Sequence, residues 1–205
     1  MEYKTPSGKA SSEFTVKRSR FIGQIKPVSS EEEALEFITE VKTAHRDATH
    51  NVYAYILRDG VRRSSDDGEP QGTAGTPVLD VLLKEGLTDC VLTVTRYFGG
   101  VLLGAGGLTR AYSRSARLTV NEVGAVIMER CVIVRFVCDY KFYNSLPALA
   151  ATHNAAEEDV VFEENLTVRM SLPAENFEAF DEQLYQWSSG QIRSEIIGET
   201  FAPKK

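Results

Sequence analysis

The stretch from Leu87 to Asn121, LTDCVLTVTRYFGGVLLGAGGLTRAYSRSARLTVN, changes character twice. Leu87–Tyr97 is rich in β-branched residues and reads as a strand. Phe98–Gly107 is dense in glycine and reads as a turn. From about Leu108 the apolar and small residues Leu108, Ala111, Tyr112, Ser115 and Ala116 recur at helical spacing, which predicts a helix running towards Asn121. Arg110, Arg114 and Arg117 fall at i, i+4 and i+7, so they share the opposite face. A strand, a glycine-rich turn and an arginine-striped helix are the unit from which the rest is read.

Upstream, residues 1–12 are polar and small and are expected to be a loose lead-in. Phe14–Ile25 reads as one or two strands, and Asn51–Leu57 as another. Between them Ser29-Ser30 precede Glu31, Glu32 and Glu33, a cap followed by acids where a helix dipole favours them. Arg62–Thr76 is the longest polar, glycine-containing segment and is expected to be a loop. A helix with Thr76 as its cap and Pro77 in its first turn should follow, closed by Gly86. Downstream of Val126 the predicted order is strand Cys131–Cys138, helix Tyr143–Thr152, strand Val160–Glu163, strand Leu166–Leu172, helix Glu175–Ser188 and strand Ile192–Phe201. That β-α-β-β-α-β order is the plan of ferredoxin-like domains. The expected class is α+β, with domains over 13–125 and 126–205.

The 205 residues are 42% hydrophobic and 25% charged, which suits packed cores. No apolar run approaches the roughly 20 residues of a membrane-spanning helix, and the first residues lack the apolar core of a secretory signal, so no membrane partner and a cytoplasmic setting are expected. Cys90, Cys131 and Cys138 lack C-x-x-C spacing and are read as small buried hydrophobes. The net charge of −6 is unevenly spread: residues 1–125 hold 16 Lys+Arg against 16 Asp+Glu, whereas residues 126–205 hold 7 against 13. An anionic partner should therefore meet the first part of the chain, through local clustering of basic residues.

Gly104, Gly106 and Gly107 stand where free backbone N–H groups receive anions, and guanidinium groups pair with phosphate bidentately. The candidate phosphate or nucleic-acid-binding residues are thus Arg96, Tyr97, Gly104, Gly106, Gly107, Arg110, Arg114 and Arg117. The alternative is that the glycines serve close packing and the arginines form an ordinary solvated face. There is no G-x-x-x-x-G-K-[ST] and no third glycine in register for G-x-G-x-x-G, which disfavours ATP hydrolysis and dinucleotide binding. Asp67, Gly68, Glu69, Gly72 and Thr73, with Asp66, form a candidate ligand loop: clustered carboxylates hold Mg²⁺ or act as acid and base, and they suit tight turns equally well. No histidine accompanies them at ligand spacing. His45, His50 and His153 are read as capping or surface residues, and no metal, cofactor or catalytic residue is expected. The Asp66–Pro77 loop and the Arg96–Arg117 stretch are expected to line one cleft.

Two segments, Asp66–Pro77 (DDGEPQGTAGTP) and Arg96–Tyr112 (RYFGGVLLGAGGLTRAY), together with Ser19-Arg20-Phe21 and Asp47-Ala48-Thr49-His50, resemble the YigZ/IMPACT family over nearly all of residues 13–120. The resemblance implies an N-terminal fold like the second domain of certain ribosomal proteins, also seen in translation elongation factor G. It implies a C-terminal domain similar to that factor's last domain. It also implies a setting in translational control, with RNA, the ribosome or a translation-related protein as partner. The expected function is a non-enzymatic binding protein of that kind. The alternative is an enzyme acting on a small phosphorylated or nucleotide-like substrate, with the Asp66–Pro77 loop and the glycine-rich turn as its site.

Overall fold

Strand parity and helix caps build the first unit. In a computed structural model that describes residues 2–204, the chain divides into a unit of residues 3–127 and a unit that begins at residue 128 and includes Glu2. The first unit carries β1 (Glu2–Pro6, at its border), β2 (Ala10–Val16), β3 (Ser19–Pro27), α1 (Glu31–Ala44), β4 (His50–Ile56), β5 (Arg62–Ser65), α2 (Gly75–Lys84), β6 (Cys90–Tyr97) and α3 (Ala105–Val123). Its sheet has the order β2-β3-β6-β4-β5, with every pairing antiparallel. Because β6 is central, it is buried on both faces: Cys90, Leu92 and Val94 enter the core under α2 and α3, and Val91 enters the core under α1.

The expected cap of α1 is present, with Ser30 accepting from the Glu33 amide while the Glu33 carboxylate accepts from the Ser29 amide. Four expectations are corrected. Residues 1–12 are not a loose lead-in, since Glu2–Pro6 and the start of β2 are extended strand. The segment expected to be all loop opens with β5, a polar edge strand paired to β4 on one side only, which is why it shows no apolar alternation. Thr76 does not cap α2: the helix begins at Gly75 and its first amides are met by a carboxylate from outside the helix, described below. Gly106 and Gly107 lie inside the first turn of α3, not before it.

The approach of β3 to α3 is set by Gly23, where an added methyl would overlap Thr119 Oγ1 and crowd Ser115 Oγ.

The second unit contains β7 (Ala125–Cys138), α4 (Tyr140–Tyr143), α5 (Leu146–Thr152), β8 (Ala156–Phe162), β9 (Leu166–Pro173), α6 (Phe177–Trp187) and β10 (Glu195–Pro203). Strands run antiparallel in the order β10-β7-β9-β8. Even-numbered residues of β7 and β9, from Val132 and Leu166 onward, build a core with Leu146, Leu149, Phe180 and Leu184. This is the expected α+β class and βαββαβ order. The single helix predicted over Tyr143–Thr152 is two, because Pro147 near the start of α5 has no N–H to give the Tyr143 carbonyl. The acidic run Glu157-Glu158-Asp159 belongs to β8, which forms an edge and is bulged between Glu157 and Asp159. All three cysteines are buried, and burial followed by the Asp89 charge pushes the Cys90 thiol up to about 12. No described helix is long and apolar enough to cross a membrane.

Gly23→Ala should lower stability by roughly 1–3 kcal/mol through overpacking against α3. The measurement is a urea midpoint, and the loss should shrink when Thr119→Ala is added. An unchanged midpoint for the single variant would contradict this account of the β3–α3 contact.

Candidate functional site

Lys17 and Arg18 form the two-residue turn between β2 and β3, and both have left-handed backbone, with φ of 45° and 63°. Such turns ordinarily take Asn and Gly, so two long basic side chains here come at a conformational cost. Gly99, in the β6–α3 connection, allows this turn to close: an added methyl there would overlap the Arg18 backbone. The Ser19 hydroxyl accepts from the Gly99 amide at 3.2 Å, which holds the two segments together.

Beside that turn, α3 starts from Gly104, at φ of 72°, with no side chain capping its first amides. Arg110, Arg114 and Arg117 are exposed along one face, as their spacing predicts. They line a groove of about 430 Å³ with Phe14, Val16 and Lys17 of the hairpin and Leu103, Gly107 and Ala111. The Arg114 guanidinium lies 4.7 Å over the Phe14 ring. Among the described residues none of these three arginines, nor Lys17, has a carboxylate partner. The groove thus combines an apolar floor with uncompensated cations. Lys17, Arg18 and Phe14 were not singled out from the sequence; their signal was the basic pair closing a hairpin between alternating strands.

Arg96 is elsewhere. Even parity on β6 turns it into the α2/α3 side of the sheet, where it is 5% exposed, so the expectation that it contacts phosphate at the surface is corrected. Its guanidinium donates to Glu69 Oε1 at 2.6 Å and to Ser19 Oγ at 3.4 Å, and lies over the rings of Phe21 and Phe98. Tyr112, fully buried, donates to the same Glu69 oxygen at 2.7 Å, and burial followed by the Glu69 charge raises its phenol well above the usual range. Tyr97 faces the other side of β6, with its hydroxyl 2.9 Å from His45 Nδ1 and donating to Asp47.

The candidate ligand loop is held by its own carboxylates. Asp66 accepts from the amides of Gly72, Ala74 and Gly75, and so serves the start of α2 in place of Thr76. Burial pushes the Asp66 carboxyl up, but those three amides outweigh it and hold it below the usual carboxylate range. Asp67 accepts from Lys42 at 2.8 Å and from the Asn51 amide at 2.6 Å; burial is again opposed and outweighed, here by Lys42 first. Gly68 and Gly72 take φ of 88° and 74°, and Thr73 donates to the Pro70 carbonyl. No histidine stands at ligand spacing in the sequence, but in space His50 Nδ1 lies 2.8 Å from the Asp67 carbonyl and its Nε2 3.8 Å from Glu69. No group of three His, Cys, Asp or Glu among the described residues is arranged to hold a metal ion. The groove contains no residue of this loop, so the expected common cleft is corrected too; the loop meets α3 through the buried Tyr112–Glu69 hydrogen bond.

Fold and site together describe a two-unit α+β protein with a cationic, apolar-floored groove and an internally satisfied acidic loop. The chain belongs to the IMPACT family: residues 17–120 match the model of the Impact N-terminal domain. It is 37% identical over 181 residues to the IMPACT family member YvyE of Bacillus subtilis, covering 87% of this chain and 83% of that protein. It is 30% identical to the IMPACT family member YigZ of Escherichia coli, covering 90% and 92%. A solved structure described as the crystal structure of an hypothetical protein is similar with a TM-score of 0.66 at 28% identity, over 96% of this chain and 97% of that one.

Glu69→Gln should cost about 3–5 kcal/mol in unfolding experiments, because it leaves the Arg96 charge buried and uncompensated. Glu69→Leu combined with Arg96→Met should recover a substantial part of that loss; equal stability of the single variant and the parent would contradict the pairing.

The lowered Asp66 carboxyl predicts a pH dependence of definite sign. Its ionised form stabilises the fold fully above the usual carboxylate range, and this is lost as pH falls through the lowered value. Asp66→Asn should therefore be less stable than the parent at neutral pH, with the gap closing in acid. A gap that widens in acid in thermal melts would refute the assignment.

Proposed function

We propose that this protein is a non-enzymatic binding protein of translational regulation, whose first unit receives the phosphate groups of RNA, free or within the ribosome, in the cytoplasm. The observation that carries the reading is Arg110, Arg114 and Arg117 exposed on one face of α3, with no carboxylate partner among the described residues. Cationic side chains without a carboxylate partner keep their charge available to neutralise an external anion. Gly104, Gly106 and Gly107 leave the start of that helix open to close approach, and Lys17 adds a fourth cation across the groove. The resemblance to translational proteins and membership of the IMPACT family support the setting. The enzymatic alternative needs Asp67 or Glu69 free for a metal or a proton. Both carboxylates are occupied by hydrogen bonds that hold the fold, and this argues for binding over catalysis.

Four phosphate contacts give a salt slope near −3.6, so affinity for RNA should fall about 10²-fold between 50 and 200 mM salt. Replacing the three arginines by alanine should flatten the slope by about 2–3, at roughly 0.7–0.9 for each contact. Fluorescence anisotropy with labelled RNA measures both quantities. A slope unchanged in the triple variant would remove the groove from the account. Capture of a protein partner that persists at high salt and after ribonuclease would favour a scaffold that binds only proteins.

A further inference from the structure

We infer that the groove takes a nucleic-acid duplex, gripped by its two phosphate backbones and not by stacking on its bases. The inference rests on the reading of the groove as an RNA-binding surface and adds the class of RNA.

Single-stranded nucleic acid is held by aromatic rings on which splayed bases stack, along with cations that follow the backbone. Here the cations are present and free ring faces are not. Phe14 is the aromatic residue of the groove, and its ring is already stacked on Phe21, 5.2 Å away at an interplanar angle of 13°, while Arg114 lies over it. Tyr112 is fully buried on the core side of α3. Tyr97 points to the opposite face of the sheet, carries Arg20 over its ring and is tied to His45 and Asp47. Phe98 is 44% exposed, but it lies outside the groove and the Arg96 guanidinium covers its ring at 5.3 Å.

What remains for a ligand is cationic and aliphatic. Arg114 lies over the Phe14 ring, and guanidinium N–H groups pair bidentately with phosphate oxygens. Arg110 and Arg117 are seven residues apart, about 10.5 Å along the helix axis, and Lys17 lines the same groove from the hairpin, its ammonium 3.5 Å from the Leu102 carbonyl. Cations on both banks suit two backbones, and Val16, Leu103 and Ala111 are too small to serve as stacking platforms. Duplexes are recognised in this way, by shape and backbone, with little sequence preference.

The experiment uses the full chain and three labelled probes of one sequence: a duplex RNA of about 16 base pairs, a common span for duplex readers, its single strand, and the matching DNA duplex. The duplex RNA should bind at least about tenfold tighter than the single strand. Phe98→Leu should leave its affinity within about twofold, whereas Arg114→Ala should lower it about fivefold or more through loss of a charged phosphate contact. DNA duplex bound as tightly as RNA duplex upholds backbone recognition and excludes a reading of the 2′-hydroxyl. Tighter binding of the single strand, or a loss beyond about fivefold in Phe98→Leu, overturns the duplex inference and leaves the arginine groove standing. Absence of binding to all three probes at low salt overturns the groove reading itself.

Discussion

Arg96 enters the interior of the first unit fully charged, and Glu69 meets it there at 2.6 Å with both side chains almost completely out of water. Taking two ions from solvent costs several kcal/mol each, and their attraction repays this only where geometry and extra hydrogen bonds are good. Those extras come from Ser19 on β3 and Tyr112 on α3, with the rings of Phe21 and Phe98 over the guanidinium. One buried pair thereby ties together a strand, the acidic loop, the hairpin and the long helix. Arg96 Nε is left without a partner, so the arrangement is not saturated. Tyr112 reaching Glu69 joins α3 to the loop and, through Arg96, to the central strand of the sheet.

Much of this was legible in the sequence, and the parts that were not have a common cause. The face of Arg110, Arg114 and Arg117 followed from helical spacing alone, since α3 has one buried side and one wet side. Arg96 did not yield to the same treatment. It lies near the end of a strand whose residues are buried on both faces, so the period-two pattern that usually separates inside from outside is absent. Chemically it looks like the other arginines, and only its place over Glu69, 27 residues away, tells them apart. His50 reads in sequence as a capping or surface residue, yet β4 carries it against Asp67 and Glu69. Periodicity describes how a residue relates to its own element; these contacts join different elements.

Glycine gives the same lesson in a sharper form. The sequence suggested that glycines around residues 104–107 serve an anion, or else close packing. In the structure the tightest approaches are at Gly23 against Thr119 and Gly99 against Arg18. Gly99 is the nearer to the groove, because it lets a hairpin made of two basic residues fold down beside α3. Strain at Lys17 and Arg18 is local, whereas the side chains they present are held out towards solvent. A turn that favoured only stability would place Asn and Gly there.

The starts of α2 and α3 show how one chain separates structural from available positive potential. At α2 an internal anion, Asp66, already takes three amides, so the helix dipole is spent on holding the loop. At α3 no side chain takes that place, and Arg110 leans towards Gly106 in the same turn. The overall charge of −6 does not oppose an anion at this point. At physiological ionic strength exposed charges beyond about 8 Å are largely screened, so an approaching phosphate responds to its nearest cations and not to the sum over the chain. Residues 126–205 carry the whole excess of acid, while residues 1–125 are balanced, and within them Asp66, Asp67 and Glu69 are taken up by backbone amides, Lys42 and Arg96. A neutral unit whose helix arginines have no carboxylate partner presents a basic face without being a basic protein.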